Sequence, residues 1–498
     1  MPDGVHPPSP IERLIASRFV RSTYTSLLAH LLVLILLAIL MVPVYRPQRP
    51  RLIEIAMAES DQDDMIPGDA GGGAAGTVEI DLPADPLTPP SAADHGLLVP
   101  PLVPIPTIAA AIPEPQTVEA AHQESARDAI PAIPASLPSQ SSATGGSAAA
   151  EAFLGRRGPA RGEGVLARGG SQASEDAVEA GLDWLATHQA ADGSWRFDLS
   201  GCRCDGSCRD PGTVASTTAA TGIALLPFLG AGHTHLDGSH RDTVNRGIYY
   251  LMSRMRPTPR GGDLSEGTMY GHGVATLALA EVLGMTRDPA VQQYVRDAVR
   301  FIETAQDLHG GGWRYLPGQP GDTTVTGWQL AALKSASLAG VAVPSPTLDG
   351  VHRFLDRVQV RRGEAYGYQS PQARPCTSAI GLLCRLYTGW PDEATIDRGL
   401  TALAAPGPDP DAIYLNFYLS QALLQRDHRL WKEWNDHNRD QLVARQARHA
   451  HEAGSWFLDD EDTAPGGRLA HTALAVLTLE VYYRLLPIYG ADAVAGGW

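Results

Sequence analysis

Three groups of side chains carry the types and spacings that chemistry would need. Asp459-Asp460-Glu461-Asp462 is a run of four carboxylates between a Gly454-Ser455-Trp456 turn and an apolar segment opened by Pro465-Gly466-Gly467. Such a run reads as a solvated acidic loop, or at most as a loose cation site without the spaced oxygen ligands of a calcium loop; Asp460, Glu461 and Asp462 are its candidate acids. Cys202, Cys204 and Cys208 fall within seven residues in SGCRCDGSC. Three thiolates so close could hold a structural zinc ion if Asp198, Asp205 or a distant histidine completed the set. Their spacing also suits a disulfide such as Cys202 to Cys208 in an oxidising compartment. Cys376 and Cys384 would stand about 12 Å apart on one helix, too far to bridge.

The third group recurs at the starts of apolar segments: Thr217 and Thr218, Tyr270 and His272, Thr326 and Trp328, Thr377, Tyr414 and Asn416, His471 and Thr472. If those segments are helices side by side, their equivalent ends face one mouth. Tyr270, His272, Thr326, Trp328, Tyr414, Asn416 and His471 are then expected to line a shared ligand-binding cavity. Alternatively, each is a cap or a satisfied core polar group. His272 and His471 are the candidates for acid–base work.

The elements that must position these groups follow from periodicity. Beyond residue 174 two kinds of helix alternate. Amphipathic segments at 174–190, 241–256, 290–306, 347–359, 393–404 and 428–447 alternate with segments apolar nearly all round at 214–230, 270–284, 323–339, 376–388, 411–425 and 468–485. A helix apolar on every side must be buried and one with a polar stripe lies outside. Six outer and six inner helices in alternation predict an all-α fold of two concentric layers, an α/α toroid of about six hairpins over residues 171–490.

Ahead of it the chain is of another kind. Residues 27–45, LLAHLLVLILLAILMVPVY, are nineteen without a charge, close to the roughly 20 needed to span a bilayer. After an N-terminal tail (1–25), we expect a single transmembrane helix at 26–45; a cleaved signal peptide ending near Ala56-Met57-Ala58 is the alternative. Arginines flank the span on both sides, so charge does not orient it. Residues 46–170 hold 17 prolines and one aromatic, Phe153. This predicts a disordered Pro/Ala/Gly-rich linker of about 60 Å r.m.s. length. A domain held so far from a membrane suits an extracytoplasmic space. The whole chain carries 39 basic against 55 acidic residues, a net charge of −16, which argues against nucleic acid as a partner.

The local wording also repeats. Trp184-Leu185, Gln189 and Gly193-Ser194-Trp195 match Phe301-Ile302, Gln306 and Gly312-Trp313, with a weaker copy in Phe354-Leu355, Gln359 and Tyr366-Gly367-Tyr368. These units resemble the prenyltransferase and squalene-oxidase repeats of terpenoid cyclases and protein prenyltransferase beta subunits. The resemblance covers about residues 174–490 and implies an α/α toroid with a central cavity. It further implies an apolar, isoprenoid ligand, with terpene-cyclase-like proton donation from the 459–462 run, where Glu461 replaces the middle aspartate of the cyclase motif. The zinc set of protein prenyltransferases is incomplete: Asp411 and His471 match, but Ile413 stands where the cysteine should be. No other cofactor is expected. Toroids also present aromatic clefts to polysaccharides, so a glycan-binding or lyase-like protein with Tyr270, Trp328 and Tyr414 as stacking residues is the alternative. A tethered protein-interaction module is a third reading.

Overall fold

The computed structural model describes residues 153, 156, 158–204 and 206–484. The tail, the apolar stretch 26–45 and the linker up to residue 152 lie outside them. Among the described residues no helix is long and apolar enough to cross a membrane.

The described chain is helical, with α1 (Gly158–Arg168) followed by α2 (Gln172–Thr187), α3 (Thr217–Gly230), α4 (Arg241–Arg254), α5 (Met269–Thr286), α6 (Pro289–Ala305), α7 (Thr323–Leu338), α8 (Ser345–Val358), α9 (Pro375–Tyr387), α10 (Glu393–Ala404), α11 (Ile413–Gln425), α12 (Trp431–Arg445), α13 (Gly467–Leu479) and α14 (Val481–Arg484). Two small antiparallel hairpins, β1 (Arg256–Thr258) with β2 (Gly261–Asp263) and β3 (Gln359–Val360) with β4 (Ala365–Tyr366), interrupt the pattern. The apolar-all-round helices α3, α5, α7, α9, α11 and α13 pack in chain order, and α13 returns to α3. Their ring is therefore closed, and each inner helix buries nearly every residue. Each inner helix packs against the outer helix that follows it, except that α13 packs against α2, the first. The two ends of the chain thus complete one hairpin between them.

The repeated words are the stitches of this ring. Trp195, Trp313 and Trp456 are fully buried and donate Nε1–H to Leu185 O, Ile302 O and Leu442 O, each at 2.7 Å, near the ends of α2, α6 and α12. Their backbone amides donate to Thr221, Thr326 and Thr472 Oγ1 on the next inner helix at 3.0–3.1 Å. The glutamines do not serve their own helix ends. Gln189, Gln306 and Gln446 donate to Thr243 O on α4, Thr347 O on α8 and Ala177 O on α2, so each ties one outer helix to the next. Glycine is required at the turn because Gly193 (φ +87°) and Gly454 (φ +93°) back onto Arg246 O and Ala180 O, where a Cβ would intrude.

The ordered domain begins before residue 171, where the linker reading ends it. Phe153 is buried against Gly284, and Arg156 is wholly buried. Its guanidinium meets Glu281 of α5 at 2.8 Å, and Arg484 of α14 meets the same carboxylate at 2.7 Å. Arg156 also donates to Leu229 O and Arg484 O, so it gathers the far ends of α3, α5 and α14. Proline-rich composition hid this segment because two side chains, not an average, anchor it. A buried charge left without its partner costs about 3–5 kcal/mol. Glu281→Ala, which strands two guanidinium groups, is expected to lower stability by about that much, read as a fall in the urea midpoint at constant slope.

Candidate functional site

At the end of the ring where the inner helices begin, the polar residues separate into two sets. Tyr270, Trp328 and Tyr414 meet on the axis: Tyr270 and Tyr414 hydroxyls are 2.8 Å apart, and Trp328 Nε1–H points at both, at 2.7 and 2.9 Å. Tyr418 stands edge-on to Tyr414, and Phe417 stacks on Trp328. The others turn away from the axis to serve the backbone. His272, fully buried, accepts Leu264 N–H at Nδ1 and faces Ala298 O with Nε2 at 3.0 Å, so Nε2 carries the proton. His471 faces Gly467 O with Nδ1, which therefore carries the proton, and accepts the Thr463 hydroxyl at Nε2. Thr326 accepts Trp313 N–H, and Asn416 donates to Asp409 O. None of these four is among the residues that line the chamber. The ring nitrogens of both histidines and the Thr326 hydroxyl are paired in this way, whereas the buried Asn416 Oδ1 has no hydrogen-bond partner.

The axial chamber is bounded by Tyr270, Trp328 and Tyr414 together with apolar wall residues, Ile223, Val274 and Leu474 among them, and by Phe197, Val214 and Thr463 from two loops at the mouth. Its free volume is about 30 Å³, room for a water molecule or two. Trp328 separates it from a second void of about 20 Å³ beside Ile380, Phe417 and Tyr418. Phe197 and Val214 were not among the expected lining residues; they belong to the loop between α2 and α3, which no helical periodicity describes.

The acidic run is only half solvated. Asp459 and Glu461 are exposed, whereas Asp460 is buried and accepts Tyr414 N–H and Asp462 N–H at 2.9 and 3.0 Å. It caps α11 from 46 residues away, as Glu266 caps α3 by accepting Thr217 and Thr218 N–H. Burial, reinforced by Asp460, pushes the Asp462 carboxyl up to about 6; its neighbour is Cys376, whose thiol burial pushes well above its usual range. Among the described residues no carboxylate lines the chamber. Asp411 is paired with Arg445 at 2.6 Å, and His471 is fully buried.

The three-cysteine loop gathers at the end of α2. Cys202 and Cys204 Sγ are 3.0 Å apart, and Cys208 Sγ is 3.0 Å from His188 Nε2. The donor atoms of His188, Cys202 and Cys204 all lie within 4.8 Å of one another. No disulfide joins any described cysteine, the Cys202–Cys208 pair included. Burial raises the Cys202 and Cys208 thiols to about 11 and about 12. At Cys204 burial acts upward too, but hydrogen bonds from Cys202 and Cys208 hold the thiol below its ordinary value. These residues could hold a metal; sequence spacing alone did not single out His188.

No family model matches the chain, and no curated protein does. Among solved structures it is similar to two inactive variants of an alpha-1,6-mannanase of Salegentibacter sp. HEL1_6, one in complex with alpha-1,6-mannotetrose and one with alpha-1,6-mannotriose. Identities are 11% and 12% over 63% of this chain and 100% and 99% of those chains, with TM-scores of 0.48 and 0.46. It is similar also to a type II terpene cyclase from Scytonema in complex with geranylgeranyl dihydroxybenzoate, at 14% identity over 64% of this chain and 98% of that one, TM-score 0.39. Both kinds are α/α toroids. The architecture of the present chain rests on its own ring closure.

Burial holds His272 and His471 down to about 4, below the ordinary 6.5. Each therefore adds stability that is complete above about pH 6.5 and is lost toward pH 4 at about 1.4 kcal/mol per pH unit. In ring-labelled histidine NMR their signals are expected to stay those of neutral imidazole down to about pH 5; titration of either near 6.5 would refute its role as a backbone staple.

Proposed function

We propose that this toroid, of the prenyltransferase and squalene-oxidase repeat type, binds an apolar, isoprenoid-like chain through its axial chamber, with residues 27–45 holding it at a membrane. The observation that carries the reading is the chemistry of the chamber wall. Apart from Thr463, its polar side-chain atoms are the two phenols and the indole N–H, and these satisfy one another. An apolar ligand asks nothing more of such a wall, whereas a sugar would leave most of its hydroxyls unpaired. The reading assigns binding; among the described residues no carboxylate lines the chamber. Entry requires the loops carrying Phe197, Val214 and Thr463 to part, since the closed chamber is far smaller than a prenyl chain.

A second reading has one observation in its favour. A groove of about 310 Å³ between the end of α10 and α12 presents Glu433, His437 and Gln441, polar groups of the kind a glycan would engage.

Native mass spectrometry of the full chain, incubated with geranylgeraniol or with mannotetraose, separates the two. One equivalent of the prenyl alcohol is expected on the wild type and none on Ala470→Leu, which fills the chamber while keeping the thermal midpoint within a few degrees. Folded wild type that takes no prenyl alcohol, or Ala470→Leu that still takes it, would overturn the proposal; mannotetraose lost on Glu433→Ala would favour the groove.

A further inference from the structure

The cysteine loop has features that a lid of three free thiols does not need. Cys204, Cys208 and His188 are all buried, and Cys202 is partly so. Their donor atoms converge from two separate pieces of chain, the end of α2 and the loop that follows. The His188 ring is oriented: its Nδ1 lies 2.7 Å from Trp184 O and must carry the proton, and its face stacks on Trp184. The bare Nε2 lone pair is thereby aimed at Cys208. A carbonyl behind the imidazole is the usual outer partner of a metal-ligating histidine. Cys202 and Cys204 sulfurs at 3.0 Å are in contact without a bond, which at about 2.05 Å would be far shorter.

We propose that His188, Cys202, Cys204 and Cys208 form a tetrahedral Cys3His site for one zinc ion. Three thiolates and one imidazole are the donor set of closed structural zinc centres. A zinc–sulfur distance of about 2.3 Å sets tetrahedral edges of about 3.8 Å, so the 3.0 Å contacts need to open by less than an ångström while Cys208 Sγ, which touches His188 but lies outside the 4.8 Å group of His188, Cys202 and Cys204, closes in. On binding, three thiol protons leave and the neutral imidazole keeps its Nδ1 proton, giving a site of net charge −1. Its three cysteines lie between Phe197 and Val214 in sequence, and His188 lies just ahead of them. Zinc would therefore pin the lid of the axial chamber to the end of α2 and, through Cys208 beside His451 O, to the segment after α12. The assignment stands whether or not the chamber binds a prenyl chain.

The test is elemental analysis of the full chain purified under reducing conditions without added chelator. Close to one zinc per chain is expected, lost in Cys204→Ser, retained in Cys384→Ser, and retained in His188→Cys, which exchanges one good ligand for another. Should Cys204→Ser fail to fold, cobalt(II) exchanged into the wild type is expected to give the visible bands and thiolate charge-transfer absorption of a tetrahedral thiolate site. Chelation of the wild type is expected to expose residues 196–215 to limited proteolysis. A folded wild type without stoichiometric metal, iron in place of zinc, zinc that survives loss of Cys204, or a disulfide among the three cysteines would each overturn the proposal.

Discussion

A helix with no polar side can be buried only if it has neighbours all round, and six such helices satisfy one another only by closing into a ring. That constraint organises the protein. Once α13 meets α3, nothing remains at the inner layer to face water except the helix ends, whose first amides need acceptors from elsewhere. The chain supplies them from distant loops: Glu266 for α3 and Asp460 for α11, with Asp322 capping α7 locally. What resembles a catalytic acidic motif is thus in part a consequence of ring closure. The outer layer has its own closure, since Gln446 binds α2 as Gln189 and Gln306 bind the outer helices that follow them.

The same closure decides what kind of site the axis offers. Polar groups admitted to so dry a space must pair there, and the Tyr270–Trp328–Tyr414 set does so completely enough to leave a chamber with almost no unmet hydrogen-bonding demand. Over the mouth lie two loops, one carrying the cysteines and one the acidic run.

Much of the ring was legible because it is written in repeated periods: the twelve alternating helices fall within a few residues of where hydropathy places them, and the Gln and Trp units recur where outer helices end. The fourth unit, Gln446 to Trp456, is obscured by extra residues between them. The site was less legible. Polar residue type could not separate Tyr270 and Tyr414, which face the axis, from His272 and Asn416 two residues on, which face backbone, because two residues along a helix turn the direction by about 200°. Asp460 is a cap only through a contact with Tyr414 that no local pattern announces. His188 completes the thiol cluster from a helix end 14 residues before Cys202, and Phe153 and Arg156 belong to the ring despite a composition that reads as spacer.

That last placement has a mechanical consequence. Any tension along the chain preceding Phe153 enters the ring at Arg156, whose guanidinium grips α5, the final short helix and a carbonyl of α3 at once. Force is then shared by three elements across a buried ionic knot, not delivered to one helix that could be peeled away turn by turn. A pull at this point would load the ring at the end opposite the mouth, where Phe197 and Val214 sit.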